Sequence, residues 1–150
     1  MTQNTPGEMI DILLVEDNEG DARLAREAMR DSKLRNTLHH VVDGEEAMAF
    51  LRKEGKYSEA PRPDLVLLDL NLPKKDGREV LSEIKSDENL KRIPVVILTV
   101  SSAEEDILKS YNLHANCFIS KPIDLGQFMR VVKSIEDFWL TIVKLPSAHR

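Results

Sequence analysis

The chain has a single cysteine, Cys117, in 150 residues. No internal disulfide is available, so packing alone must hold the fold together. No stretch approaches the roughly 18 consecutive apolar residues that a membrane span needs. The opening MTQNTPGEM has neither a basic start nor an apolar run of signal-peptide length,. These absences predict a cytoplasmic protein with no membrane partner. Positive charge is the minority sign, with 21 Lys and Arg against 26 Asp and Glu and a net charge of -5. Nucleic-acid binding rests on clustered cations that displace counterions from phosphate, so no nucleic-acid partner is expected. The short basic stretches LPKKDGR and ENLKR are interrupted by acids and read as solvated turns. His114 and the pair His39-His40 lack a matching ligand set, which argues against zinc. Internal repeats and low-complexity segments are also missing.

What is present is an ordinary globular composition, 41% hydrophobic and 31% charged, at a length suited to one domain. Short aliphatic runs predict five buried strands: Met9 to Val15, Leu38 to Val42, Leu65 to Leu68, Val95 to Leu98 and Cys117 to Ile119,. Between them, Asp21 to Lys33 sets Ala22, Ala25, Ala28 and Met29 on one helical face. Glu45 to Arg52 does the same with Ala47, Met48 and Leu51,. Gly77 to Ser86, Ala103 to Asn112 and a longer stretch from Leu125 repeat the pattern. Alternating strand and helix predicts an α/β domain, a parallel sheet with helices on both faces. The expected organisation is a flexible N-terminus over 1–8, one domain over 9–145 and a tail over 146–150. KEGKYSEAPRP, from Lys53 to Pro63, reads as an extended surface loop,.

Ligands of open α/β sheets lie beyond the carboxyl ends of the strands. There the first strand runs into Glu16-Asp17, the third into Asp69, the fourth into Thr99, and the fifth leads to Lys121-Pro122. Asp43-Gly44, after the second, reads simply as a turn. Three carboxylates brought together repel one another and call for a cation. Oxygen ligands with room for water suit Mg²⁺, or a related divalent ion such as Mn²⁺, with phosphate as co-ligand. A metal, the Lys121 ammonium and the Thr99 hydroxyl would together neutralise and hydrogen-bond phosphoryl oxygens. One carboxylate is then free to act as nucleophile and form an acyl phosphate. Asp69, anchored by the apolar run before it, is the candidate.

LLVEDN, LLDLNLPKKDG, VVILT and FISKP, in that order and at these separations, resemble the receiver domains of two-component response regulators over about residues 9 to 138. The resemblance implies a flavodoxin-like, doubly wound five-stranded parallel sheet of order 2-1-3-4-5 with five helices. It implies phosphoryl transfer from a phosphohistidine of a sensor histidine kinase to Asp69, with Mg²⁺ held by Glu16, Asp17, Asp69 and the backbone carbonyl of Asn71. Such a protein catalyses its own phosphorylation and dephosphorylation and is not a turnover enzyme. Thr99 and Lys121 would contact the phosphoryl oxygens, and Thr99 would draw Phe118 inward as the switch. A cis peptide between Lys121 and Pro122 is a further expectation of the family. The Lys53 to Pro63 insertion, the LPKKDGREVL loop and the long last helix are similar, more narrowly, to cyanobacterial regulators paired with phytochrome kinases. Two positions depart from the usual pattern. Val100 follows the switch threonine where a smaller residue is common, and Phe118 lacks the hydroxyl of the frequent tyrosine.

From Leu125 to Leu145 no proline intervenes, giving a helix of up to about 30 Å. Its apolar residues cover roughly 200° of the helix, more than one sheet-facing stripe requires. The surplus, Phe138, Trp139, Ile142 and Val143, predicts an interface, and the expected assembly is a homodimer; the alternative is a tail folded back on its own sheet. After residue 145 only PSAHR remains, so no DNA-binding output domain is expected and the output is contact with a downstream protein.

Two other classes use related features. A haloacid-dehalogenase-type phosphatase also has a strand-end aspartate nucleophile, but it wants a second acid two residues later, where this chain has Asn71,. A flavodoxin-like cofactor binder needs a glycine-rich phosphate loop after the first strand, where EDNEGDA is acidic,. A module that binds proteins without being phosphorylated is the remaining alternative, and Val100 is what favours it.

Overall fold

The computed structural model describes residues 9–31, 35–99 and 117–120, together with positions 126, 130 and 133. Five parallel strands form one sheet: β1 (Met9–Val15), β2 (Arg35–Val41), β3 (Leu65–Asp69), β4 (Val95–Thr99) and β5 (Cys117–Ser120). Their order is β2-β1-β3-β4-β5, the order the family resemblance implies. Among the described residues three helices connect β1 through β4: α1 (Glu19–Arg30), α2 (Gly44–Arg52) and α3 (Gly77–Ser86). The expected fourth helix, Ala103 to Asn112, lies outside the described residues. Of the expected last helix, Gly126, Arg130 and Lys133 are described, and all three are helical and exposed. Among the described residues no helix is long and apolar enough to cross a membrane.

Strand alternation divides the core into two layers. Ile10, Ile12 and Leu14 of β1 join Leu65 and Leu67 of β3 and pack on Ala22, Ala25, Ala28 and Met29 of α1. Leu13, Val15, Val66 and Leu68 point the other way, onto Ala47, Met48, Phe50 and Leu51 of α2 and Val80, Leu81 and Ile84 of α3. β3 is buried along its whole length. A strand covered on both faces has to be apolar throughout, which is why its run is unbroken until Asp69.

β2 starts three residues earlier than the sequence pattern suggests and ends one residue earlier, at Val41. It is an edge strand, half-exposed along most of its length, so its first residues carry no apolar signal. Asn36 instead ties it to α1 by donating from Nδ2 to the Met29 carbonyl at 2.8 Å. The Lys53–Pro63 segment is more ordered than a surface loop. It contains a 3-10 turn over Gly55–Tyr57, Tyr57 and Ala60 pack on the α2–α3 core, and Pro63 is buried. The Tyr57 ring lies 5.3 Å from that of Phe50. Its hydroxyl donates to Glu46 Oε1 at 2.6 Å, and burial together with this bond raises its pKa to about 12.

Candidate functional site

Val15, the last residue of β1, pairs with Leu68 of β3, so Glu16 and Asp17 emerge beside Asp69. β1 has β2 on one side and β3 on the other. The order of strands therefore reverses at this point, where an open sheet leaves its binding crevice. One carboxylate oxygen from each of Glu16, Asp17 and Asp69 lies within 4.8 Å of the other two. Among the described residues this is the one cluster of three such ligand side chains. Glu16 is 0% and Asp69 2% exposed, while Asp17 is at the surface. Two buried carboxylates at that separation repel by about 3 kcal/mol at an effective dielectric of about 20. A bound cation would offset that cost. The donors are all oxygen, one side of the cluster is open to solvent, and the number of carboxylates is small. That set fits a hard, partly hydrated divalent ion of the Mg²⁺ or Mn²⁺ kind.

Local bonds hold Asp69 and Glu16 in place. Asp69 Oδ1 accepts the backbone N–H of Asn71 at 3.1 Å, an Asx-type turn that starts the loop as the strand ends. Glu16 Oε2 accepts the N–H of Asn18 at 3.1 Å. Asn18 then caps α1, its Oδ1 accepting from the Asp21 N–H at 2.9 Å,. The Glu16 backbone is tied to β2 on both sides of its α-carbon. Its N–H donates to the Val41 carbonyl at 3.1 Å, and its carbonyl is 2.7 Å from His40 Nε2.

Asp43 and Gly44 do more than turn the chain. Asp43 is buried and caps α2, its Oδ1 accepting from the Glu46 N–H at 2.8 Å, and Lys74 Nζ lies 3.8 Å from its Oδ2. A Cβ on Gly44 would fall 2.0 Å from the Lys75 carbonyl oxygen. On the other side of the same loop, a Cβ on Gly77 would fall 2.3 Å from the Asp69 carbonyl oxygen. The Gly77 N–H donates to the Leu70 carbonyl at 3.0 Å. The loop from Leu70 to Asp76 is thus seated between two glycines, which lets its backbone approach α2 and β3 closely. Lys75 anchors it further by bonding Glu83 of α3, which Arg52 of α2 also reaches at 3.2 Å. The hydrogen bond to Glu83 holds the Lys75 ammonium above its ordinary pKa.

Of the residues singled out from the sequence, Glu16, Asp17 and Asp69 come together, and Asn71 follows on the adjoining loop. Asp69 pairs in register with Leu98, and Thr99 with Ser120, so the backbone of Thr99 lies one residue further along the same edge. Phe118 pairs with Ile97. The side chains of Thr99 and Phe118 lie outside the described residues, as do Val100, Lys121, Pro122, Phe138, Trp139, Ile142 and Val143 altogether. Sequence reasoning weighed His40 for zinc alone and missed its bond to Glu16. The available signal was the alternation of β2. His39 falls on the α2 face, 5.3 Å from the Phe50 ring, and His40 on the α1 face, 3.3 Å from Arg26.

The response regulator receiver domain model matches residues 12–133. Response regulator Rcp1 of Synechocystis sp. is 53% identical over 137 residues, 91% of this chain and 93% of its own length. The crystal structure of the phosphorylated cyanobacterial phytochrome response regulator RcpA is similar at 58% identity and a TM-score of 0.78, covering 93% of this chain and 99% of that one. The Mn²⁺-bound form of Rcp1 is similar at 52% identity and a TM-score of 0.77, covering 92% and 99%. With the acids gathered at the switch point of a five-stranded sheet, these matches show that the chain belongs to the response regulator receiver family.

Proposed function

We propose that Asp69 is the phosphoryl acceptor of this receiver and that Glu16, Asp17, Asp69 and the Asn71 carbonyl hold the divalent ion that the transfer requires. The observation that carries the reading is the convergence of the three carboxylates within 4.8 Å at the sheet's switch point. A carboxylate oxygen of Asp69 attacks phosphorus, the new O–P bond replaces the N–P bond of the kinase phosphohistidine, and the imidazole leaves. When bound, the ion neutralises phosphoryl oxygens and lets anionic donor and anionic acceptor approach. The Asn71 N–H keeps the Asp69 carboxylate oriented at the mouth of the strand. Position 71 offers an amide rather than a second acid, so no carboxyl there activates water for rapid hydrolysis and the acyl phosphate persists.

Thr99 and Lys121 are assigned to the phosphoryl oxygens, and Thr99 with Phe118 to the switch, on the family resemblance. The similarity to Rcp1 and RcpA supports a phytochrome-type histidine kinase as the phosphoryl donor. The receiver unit is assigned to residues 9–145, with 1–8 and 146–150 outside it, and the protein is assigned to the cytoplasm as a homodimer formed through Phe138, Trp139, Ile142 and Val143.

Incubation with Mg²⁺ and acetyl phosphate, followed by intact-mass measurement, tests the acceptor. The expected result is a gain of one phosphoryl group that is lost in Asp69→Asn and on chelation of the metal. Catalytic release of phosphate with no persistent adduct would favour a phosphatase. No labelling at all would favour a module that binds partners without phosphorylation.

A further inference from the structure

We infer that His40 is a positioning residue for the acidic site, setting the backbone of Glu16 and so the affinity for the divalent ion; this rests on the metal-binding reading above. His40 sits at the carboxyl end of β2, with Nε2 2.7 Å from the Glu16 carbonyl oxygen and Nδ1 3.3 Å from Arg26 Nη2 of α1. A carbonyl oxygen only accepts and a guanidinium only donates. These partners together require the proton on Nε2 and the lone pair on Nδ1, so Arg26 selects the tautomer that His40 needs in order to donate to Glu16. The bonded oxygen belongs to the peptide linking Glu16 to Asp17. That plane is shared by both residues, so holding it constrains the directions in which their side chains leave the backbone. The Glu16 N–H is held by the Val41 carbonyl at 3.1 Å, so consecutive residues of β2 grip the residue that follows β1 from both ends. Edge strand β2 thereby reaches a site to which it gives no ligand. Ligands held in place before the ion arrives lose less freedom on binding it.

The test is Mn²⁺ binding to the full chain, counted from the electron paramagnetic resonance signal of the free ion, so that no phosphorylation is needed. His40→Leu removes the donor and is expected to raise the dissociation constant about five- to tenfold, in keeping with loss of one net hydrogen bond supporting a metal ligand. His40→Gln keeps an N–H donor at a similar reach and is expected to return the constant to within about twofold of wild type, on the same reasoning. Nitrogen-15 NMR of wild-type imidazoles should show His40 protonated on Nε2, a signature that mere filling of space would not fix. Wild-type affinity in His40→Leu, failure of His40→Gln to restore it, or protonation on Nδ1 would each overturn the inference. Asp17→Asn serves as the separate control. If wild type binds no Mn²⁺, or Asp17→Asn binds as well as wild type, the metal-site reading itself fails; if that control weakens binding and His40→Leu does not, only the role of His40 fails.

Discussion

Asp64 shows how a carboxylate far from the site shapes stability. It lies just before β3, at the end of the sheet opposite Asp69, and it exchanges two bonds with Asp11 of β1. Its Oδ2 accepts the Asp11 N–H at 2.8 Å, and its own N–H donates to the Asp11 carbonyl at 2.7 Å. Burial raises its pKa above the ordinary 3.8, against the lowering effect of the Asp11 N–H, with the Asp11 charge raising it further. Because the folded value is the higher one, the folded state holds the proton more tightly. Stability is therefore lost as pH rises from 3.8 through the folded pKa, where the half-buried group ionises,. Asp64→Asn keeps an accepting oxygen and removes the ionisation. In urea unfolding at a series of pH values, the stability of Asp64→Asn relative to wild type should increase with pH across that window and then level off. A difference that stays flat would show that burial does not penalise this carboxylate. The alternation of β2 assigns His40 to the α1 face, but its bond to Glu16, like that of Asp64 to Asp11, was not legible, since the partners lie 24 and 53 residues away. Glu16 and Asp69 were legible because each follows directly on an apolar run, and Asp17 because it adjoins Glu16; the end of the run fixes where the acid surfaces.

At the level of elements, legibility followed burial. β3 and the inner faces of α1, α2 and α3 were readable because they are buried and their apolar residues keep the period of their structure. The start of β2 and the turn at Gly55–Tyr57 were not, since an exposed edge strand and a packed loop carry no such period. The glycine clamps on the loop after Asp69 were equally hidden, because a close approach of backbones depends on tertiary placement. They lead to a prediction about that loop. α3 is capped by Asp76, whose side chain and Glu79 form a reciprocal capping box, so its first turn is well anchored and cannot easily slide away. The Cβ of Gly77→Ala would meet backbone atoms of Asp69 and Leu70 at 2.3 and 2.6 Å. Backbone cannot swing aside as a side-chain tip can, and overpacking of this kind costs about 1 to 3 kcal/mol. Gly77→Ala should lower the urea midpoint accordingly and slow labelling by acetyl phosphate, because the shift falls on the residue carrying the acceptor. Wild-type values for both would show that the loop is free to give way.

For the molecule as a whole, the sheet order places the acids at the switch point and leaves the β4–β5 side for the proposed response. The proposed dimer belongs to that side. Phe138, Trp139, Ile142 and Val143 are the surplus apolar residues of the expected last helix, and Gly126, Arg130 and Lys133 of the same stretch are exposed. At 100° per residue those three positions fall within roughly 60° of one another, and an unbroken helix continued to residue 143 would carry Trp139 and Ile142 on the opposite side. Two occupants compete for that apolar surplus, the chain's own sheet edge and a second copy of the chain. A tail folded on its own domain would leave the mass unchanged when removed. A dimer held by two large aromatic side chains per subunit, the class that dominates interface energetics, should fall apart. Light scattering on the full chain is expected to give twice the chain mass, and truncation at Glu136 to give a monomer. Trp139 is the only tryptophan in the sequence, so its emission should shift to the red on dilution through the dissociation range. A monomeric full chain, or a dimer that survives the truncation, would remove this helix from the interface.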